Sequence, residues 1–516
     1  MNKTLSVSLK PRQRHLLLLA AAISSSCGLA VELLFGTLAS YLVGNQALAY
    51  GVAVGGFLAA MGIGSYLTRF IATETKQPDQ QQDQLLVAFT KVELAIAPLI
   101  AFLPLALFAL FVVDGSLWLG LCLATMILGI LAGLEVPLLT RILELEEGVR
   151  EALAGVLALD YAGALLGSLL FPVILLPLVG LFPSAFILGS LPALMIFAIA
   201  KTFPQLRWWG YLGLAMATLL LSLAPLAVTL SNALENTLYK APVISRIQSP
   251  YQKIVLTRYG KDLRLFLDGD LQMSTLDEYR YHEALVHPAM SASKHPQRIL
   301  LMGAGDGMAL REIWKWESVT EVIMIELDPA VVKLASSHPQ MITINQSAFG
   351  DERLQIIYGD AFIKVPQIEG NFEVIIADFP DPDQEILAKL YSEGFYRRLL
   401  SKLAPDGILV TQASSPFFAP DVFSCITKTL NQVGLEAHPY VFDVPSFGPW
   451  SFVIAAKHHL QPQSWQLPVP TRFLNLKMLQ HLFELPEDIQ LKDVKINSLS
   501  HPVIVRYQSN PRWAAY

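Results

Sequence analysis

The sequence predicts an α-helical multi-pass membrane domain followed by an α/β domain, with a small antiparallel β-sheet subdomain at the start of the latter. Three observations carry this reading. The hydrophobic fraction is 53% against 16% charged residues, and the apolar excess is concentrated before residue 231. From Val243 to Thr275 short apolar and polar residues alternate between glycines. After Pro296, apolar strands alternate with helical stretches, the pattern of a parallel sheet covered by helices. The implied boundaries are a cytoplasmic tail (1–13), a membrane domain (14–230), a β-sheet subdomain (231–295), the main α/β domain (296–457) and a C-terminal extension (458–516).

Seven apolar runs reach the length of about 20 residues that crosses a hydrocarbon core. They lie near 16–44, 46–71, 85–113, 116–140, 153–179, 182–200 and 209–230. Lys10, Arg12 and Arg14 precede the first, which continues past the length of a cleavable signal. Arg69, Lys76, Arg141, Arg150, Lys201 and Arg207 flank alternate connections, whereas the loops at Gly44, Asp114 and Gly180 carry no Lys or Arg. That bias puts the N-terminus in the cytoplasm and, with seven spans, the globular half outside. The supply of the co-substrate inferred below argues for the cytoplasmic side, and both placements stay open at this point.

The segment Gly28-Leu-Ala-Val-Glu-Leu-Leu34 has an echo in Gly133-Leu-Glu-Val-Pro-Leu-Leu139, and Gly64-Ser65 has one in Gly167-Ser168. Repeats of three spans would face opposite ways, as in inverted-repeat transporters. Glu32, Glu93, Glu135 and Asp160 interrupt the apolar runs, and such acids face a cavity or a partner. They read either as a path or sensor site for a cation, or as helix contacts made with Lys91 or backbone groups.

In the globular half the expected parallel strands are Arg298–Met302, Glu321–Ile325, Leu354–Ile357, Phe372–Ala377 and Gly407–Thr411. Ligands of such sheets lie at the strands' carboxyl ends. The first strand ends in Gly303-Ala-Gly-Asp-Gly307, a glycine-rich turn shared by nucleotide-binding and methyltransferase folds. Asp306 narrows the choice: it would repel a substrate carboxylate by about 4 kcal/mol at 4 Å and an effective dielectric of 20. It would attract an aminopropyl ammonium.

Glu326, about 20 positions beyond the glycine loop, suits ribose hydroxyls. Asp360 could accept from an adenine amino group or cap a helix. The fourth strand runs into Asp378-Phe-Pro-Asp381-Pro382, two carboxylates three residues apart. An alkylamine with a pKa near that of Lys, about 10.4, is neutral in roughly one molecule per thousand at pH 7. A carboxylate pair can bind a diamine dication and take the proton of the attacking nitrogen.

Tyr251-Gln252, Leu267-Asp-Gly269 with Gln272, Asp277-Glu278, Tyr281-His282-Glu283, the Gly-Ala-Gly-Asp-Gly loop and Asp378-x-x-Asp381-Pro382, in that order over about 220 residues, resemble the spermidine synthase family. The resemblance implies a Rossmann-like, class I methyltransferase-like fold. It implies that Gln252, Glu326, Asp360 and Ala361 contact the nucleoside of decarboxylated S-adenosylmethionine or of its product methylthioadenosine. His282, Asp306 and Asp381 would hold amines, with Tyr281 and Gln272 lining the same cleft, and Asp378 would be the proton acceptor. Putrescine is the default acceptor, decarboxylated S-adenosylmethionine is a co-substrate, and neither a cofactor nor a metal is called for. The resemblance also suggests a homo-oligomer.

Two departures stand out. Asp383-Gln384-Glu385 replaces the family's usual Gly-Pro segment, and Val444–Trp450 is reshaped. With the apolar half, these features are similar to the membrane-bound bacterial branch. A methyltransferase on the same fold and a polyamine sensor or transporter with a degenerate enzyme domain are the alternatives. A net charge of −6 gives no footprint for nucleic acid, and Cys27, Cys122 and Cys425 show no metal or disulfide spacing.

Overall fold

The computed structural model describes residues 9–43, 46–71, 78–113 and 115–509. Residues 1–8 of the expected N-terminal tail, and the loop positions Gly44, Lys76 and Asp114, lie outside them. The chain divides into two compact units, Met1–Lys240 and Ala241–Tyr516.

Among the described residues the elements of the first unit are all helical: α1 (Pro11–Val43), α2 (Gln46–Leu67), α3 (Pro78–Val112), α4 (Leu117–Glu147), α5 (Val149–Leu170), α6 (Leu176–Val179), α7 (Leu181–Ala200) and α8 (Arg207–Leu238). A π turn over Phe171–Leu175 joins α5 to α6. Seven helices among the described residues are long and apolar enough to cross a membrane. They are apolar all round, as buried helices are. Leu17, Leu34, Phe35, Phe89 and Leu138 form an interior, while Leu165, Leu166 and Leu178 face outward. Glycines let the helices close up. A Cβ on Gly163 or Gly167 of α5 would strike the Ala22 or Ser26 carbonyl of α1, and one on Gly64 of α2 would strike the Ile130 carbonyl of α4.

The second unit opens with an antiparallel meander in the order β1-β2-β3-β4: Val243–Gln248, Lys253–Tyr259, Asp262–Leu267 and Asp270–Ser274. Helix α9 (Glu278–Ala292) leads into a seven-stranded sheet made of β5 (Arg298–Gly303), β6 (Glu321–Glu326), β7 (Leu354–Tyr358), β8 (Phe372–Asp378), β9 (Leu403–Gln412), β10 (Glu436–Val444) and β11 (Gly448–Ala456). Its order is β10-β11-β9-β8-β5-β6-β7. Strands β5 to β9 run parallel, and the β10–β11 hairpin is antiparallel.

The crossovers carry α10 (Met308–Ile313), α11 (Pro329–Ser337), α12 (Pro339–Ile344), α13 (Ala361–Lys364), α14 (Glu385–Ala388), α15 (Glu393–Lys402) and α16 (Pro420–Gln432). Leu300, Met302, Ile323, Ile325 and Ile375 enter one core, and their neighbours Ile299, Leu301, Val322, Met324 and Val374 enter the other. A sheet covered on both faces requires that unbroken apolar character.

The last segment belongs to the same unit, with α17 (Leu476–Gln480) and α18 (Val503–Gln508). Trp465, Leu474 and Leu482 fill one core, and Ile489, Val503 and Ile504 fill the other. The buried carboxylate of Glu283 on α9 accepts from the backbone N–H groups of Arg472, Phe473 and Leu474 at 2.6, 2.8 and 2.8 Å. Glu283 therefore anchors this segment to α9.

Candidate active site

Strand order reverses between β5 and β8, which makes their carboxyl ends the crevice where such a sheet binds ligands. Gly303 ends β5 with φ +76°, and a Cβ there would strike the carbonyl oxygen of Asp378 at the end of β8. Only glycine permits that approach. The turn then places Asp306 at the start of α10, where its Oδ1 accepts from the Met308 N–H at 2.9 Å.

Asp306, His282, Asp378 and Tyr281 form one group. His282 Nε2 lies 3.7 Å from Asp306 Oδ2, and Tyr281 Oη donates to Asp378 Oδ1 at 2.6 Å. Burial pushes the Asp378 carboxyl up to about 6; the His282 charge and the Tyr281 hydrogen bond oppose that rise, and Asp306 adds to it. Burial alone would lower the His282 pKa, but Asp306, Glu278 and Asp378 outweigh it and raise it to about 9. The charged form of His282 is thereby favoured beside these acids.

Behind His282 stands a buried ionic network. His282 Nδ1 lies 3.0 Å from Glu278 Oε2, and Arg311 grips both Glu278 oxygens at 2.9 Å through Nη1 and Nη2. Arg311 Nε donates to Glu312 at 2.9 Å, and Glu312 is also met by His287 at 2.9 Å and Lys315 at 2.6 Å. This network holds α9 against α10 and so fixes where His282 and Tyr281 point.

Asp381 sits beyond Asp378 among neutral donors. Gln412 Nε2 reaches its Oδ1 at 3.2 Å, while Ser414 Oγ and Gln508 Nε2 reach Oδ2 at 3.0 and 2.9 Å. Burial raises Asp381 to about 6 against those hydrogen bonds, with Asp270 contributing. Asp383 is raised to about 7 by burial, then by Asp270 and Asp381. Asp270, at the start of β4, thus shares a field with the acids after β8. Gln272 lies on the same strand, half-buried, and its amide makes a long 3.5 Å contact with the Asp270 carbonyl.

The nucleoside candidates line the next two strand ends. Glu326 Oε1 accepts from the Asp328 N–H at 2.9 Å, and a Cβ on Gly305 would come within 3.0 Å of Glu326 Oε2. Burial raises this carboxyl to about 7, opposed by backbone hydrogen bonds. Gln252 donates to Asp328 Oδ2 at 3.0 Å, beside Ser249 Oγ at 2.6 Å, which ties the meander to the end of β6. Asp360 caps α13, accepting from Phe362 N–H at 2.9 Å, and its other oxygen meets Lys389 Nζ at 2.5 Å. Ala361 is the buried first residue of that helix.

Asp270, next to Gly269, is a neighbour that the sequence motifs did not assign, although an acid flanking that glycine was a usable signal. Gln412, Ser414 and Gln508 reach Asp381 only through the fold. Phe447, from the reshaped Val444–Trp450 turn, packs edge-on against Tyr281 at 6.1 Å.

One trio with metal-ligand chemistry occurs among the described residues: His438 Nε2 and His459 Nδ1 approach Glu436 Oε1 at 2.9 and 2.6 Å. Glu436 pairs with Ala456, which pairs with Ile408, itself paired with Val374 near the start of β8, so the trio lies at the sheet edge opposite the cleft.

Residues 278–464 match the model of the spermine/spermidine synthase domain. The chain is similar to polyamine aminopropyltransferase 2 of Ralstonia nicotianae, with 37% identity over 512 residues, 96% of this chain and 98% of that one. It is also similar to the polyamine aminopropyltransferase of Leptospira interrogans, with 36% identity over 495 residues, 95% and 97% of the two chains. A crystal structure of spermidine synthase in complex with the transition state analogue AdoDATO aligns at a TM-score of 0.45 and 26% identity, over 48% of this chain and 86% of that one. Near-complete coverage at these identities means that the chain belongs to the polyamine aminopropyltransferase family, the spermidine and spermine synthases.

Proposed function

We propose that the cleft transfers the aminopropyl group of decarboxylated S-adenosylmethionine to a diamine, with putrescine as the acceptor and spermidine and methylthioadenosine as products. Glu326, Asp360, Ala361 and Gln252 border the nucleoside end. Asp306 receives the donor's ammonium. Asp381, with Asp270 and Asp383 in its field and Gln272 beside them, receives the far ammonium of the acceptor. Asp378, oriented by Tyr281, takes the proton from the near nitrogen. That nitrogen attacks the methylene beside the sulfonium, the new N–C bond forms as the C–S bond breaks, and the electron pair leaves on sulfur. Alignment of two cations in one cleft, with a base at the attacking atom, supplies the catalysis.

The observation that carries this reading is the joining of Tyr281, Asp378, His282 and Asp306 at the switch point of the sheet. We take the seven apolar helices as membrane spans, with the catalytic unit on the side that holds the sulfonium donor and the chain assembling as a homo-oligomer. Protein extracted in detergent and given both substrates is expected to release methylthioadenosine. Asp378→Asn is expected to abolish release while methylthioadenosine still binds. Binding by the wild type without turnover would favour a sensor. Preferential consumption of ordinary S-adenosylmethionine would favour a methyltransferase.

A further inference from the structure

The helical unit contains two buried acids that aminopropyl transfer does not use. Glu93 on α3 and Glu135 on α4 line a single cavity of about 10 Å³, closed by α1, α2 and α7. Glu93 is 0% exposed and Glu135 7%. Oε1 of Glu93 accepts from Ser24 Oγ at 2.6 Å, while Oε2 meets no donor among the described residues. An unsatisfied buried acceptor is destabilising, and more so when charged. Two carboxylates facing one small cavity add mutual repulsion.

No Lys, Arg or His lines the cavity. Lys91, two residues before Glu93, is exposed and lies over the Trp209 ring at 5.9 Å. The polar groups of the lining are the two carboxylates and the Ser24 hydroxyl, set among apolar side chains such as Val31, Phe57 and Ile96. Carboxylate and hydroxyl oxygens are the ligands that hard cations take.

Size and charge narrow the ligand. The cavity has room for one water-sized particle, too little for a diamine or for a magnesium ion with its retained waters. We propose that this cavity binds one monovalent cation of about sodium's size between Glu93 and Glu135. One such cation and one proton balance the two carboxylates.

The test is retention of radioactive sodium by the full-length protein in detergent at pH 8, with choline holding ionic strength constant. About one sodium per chain is expected, displaced by ammonium, lost in Glu93→Gln and in Glu135→Gln, and kept in Asp381→Asn, which alters only the catalytic cleft. Monodisperse elution in detergent with wild-type helical circular dichroism reports that the two glutamine variants are folded. If either fails to fold, Ser24→Ala is the substitute, with affinity expected to fall several-fold. The proposal is overturned if the wild type retains no sodium. It is equally overturned if retention follows Asp381 and not the glutamates, or if Ser24→Ala leaves affinity unchanged.

Discussion

Tyr281 Oη donates a 2.6 Å hydrogen bond to Asp378 Oδ1, which joins the middle of α9 to the last residue of β8. The ring that carries this hydroxyl is wedged by His282 at 5.1 Å, Phe452 at 5.2 Å and Phe447 at 6.1 Å. Asp378 therefore presents its second oxygen to the cleft in one orientation.

Tyr281→Phe keeps the ring and removes the hydroxyl. Hydrogen bonds to charged groups are worth about 1.5–3 kcal/mol, so kcat should fall roughly 10- to 100-fold. The lost hydrogen bond also held the Asp378 pKa down, so the acid limb of the pH–rate profile should move to higher pH. Steady-state kinetics across pH 5–9 measures both, and an unmoved limb would remove Tyr281 from the role of orienting the base.

The wild-type profile follows from carboxyls raised by burial. Asp378 and Asp381 lie near 6 and Asp383 near 7, so all must ionise before the cleft holds a dication and a base. Activity at low amine concentration should climb between about pH 6 and pH 7. Because these folded-state values exceed the unfolded value of about 3.9, the same groups lower the stability of the ligand-free fold as pH rises from about 4 until it has passed the folded values. A diamine should consequently raise the melting temperature more at pH 8 than at pH 5.5, which thermal shift can read.

Gln508 brings the C-terminal segment to Asp381. Replacement by Ala should raise KM for the amine several-fold and leave methylthioadenosine affinity nearly unchanged. Equal loss at both subsites would indicate general disruption of α18.

Arg311 bridges Glu278 and Glu312 in the interior. Arg311→Met leaves both acids facing His282, His287 and Lys315 without their shared guanidinium. Breaking such a pair costs about 3–5 kcal/mol, a loss that denaturant unfolding of the catalytic unit would register.

Much of this arrangement was legible in the chain. The strands announced themselves because a doubly covered sheet needs continuous apolar runs; Glu326 and Asp378 could be found because each ends such a run, and Asp306 because it sits in the glycine turn that follows one. The capping alternative for Asp360 was also visible, since an acid ahead of a short helix serves either purpose, and the cap is made here. The partners of Asp381 left no local trace: Ser414 and Gln508 are 33 and 127 residues away and are joined only by tertiary folding. Arg311 and Glu278, 33 residues apart, carry no pattern that distinguishes a buried pair from two surface charges.

The surroundings of Asp381 have a further consequence. Its hydrogen-bond donors are amides and a hydroxyl, and Asp270 and Asp383 add negative potential beside it. Such a pocket does not distinguish the amine that enters from the longer one that leaves, because adding an aminopropyl arm also adds a positive charge. Departure of the finished polyamine, more than bond making, would then govern turnover, and accumulated product would throttle its own synthesis.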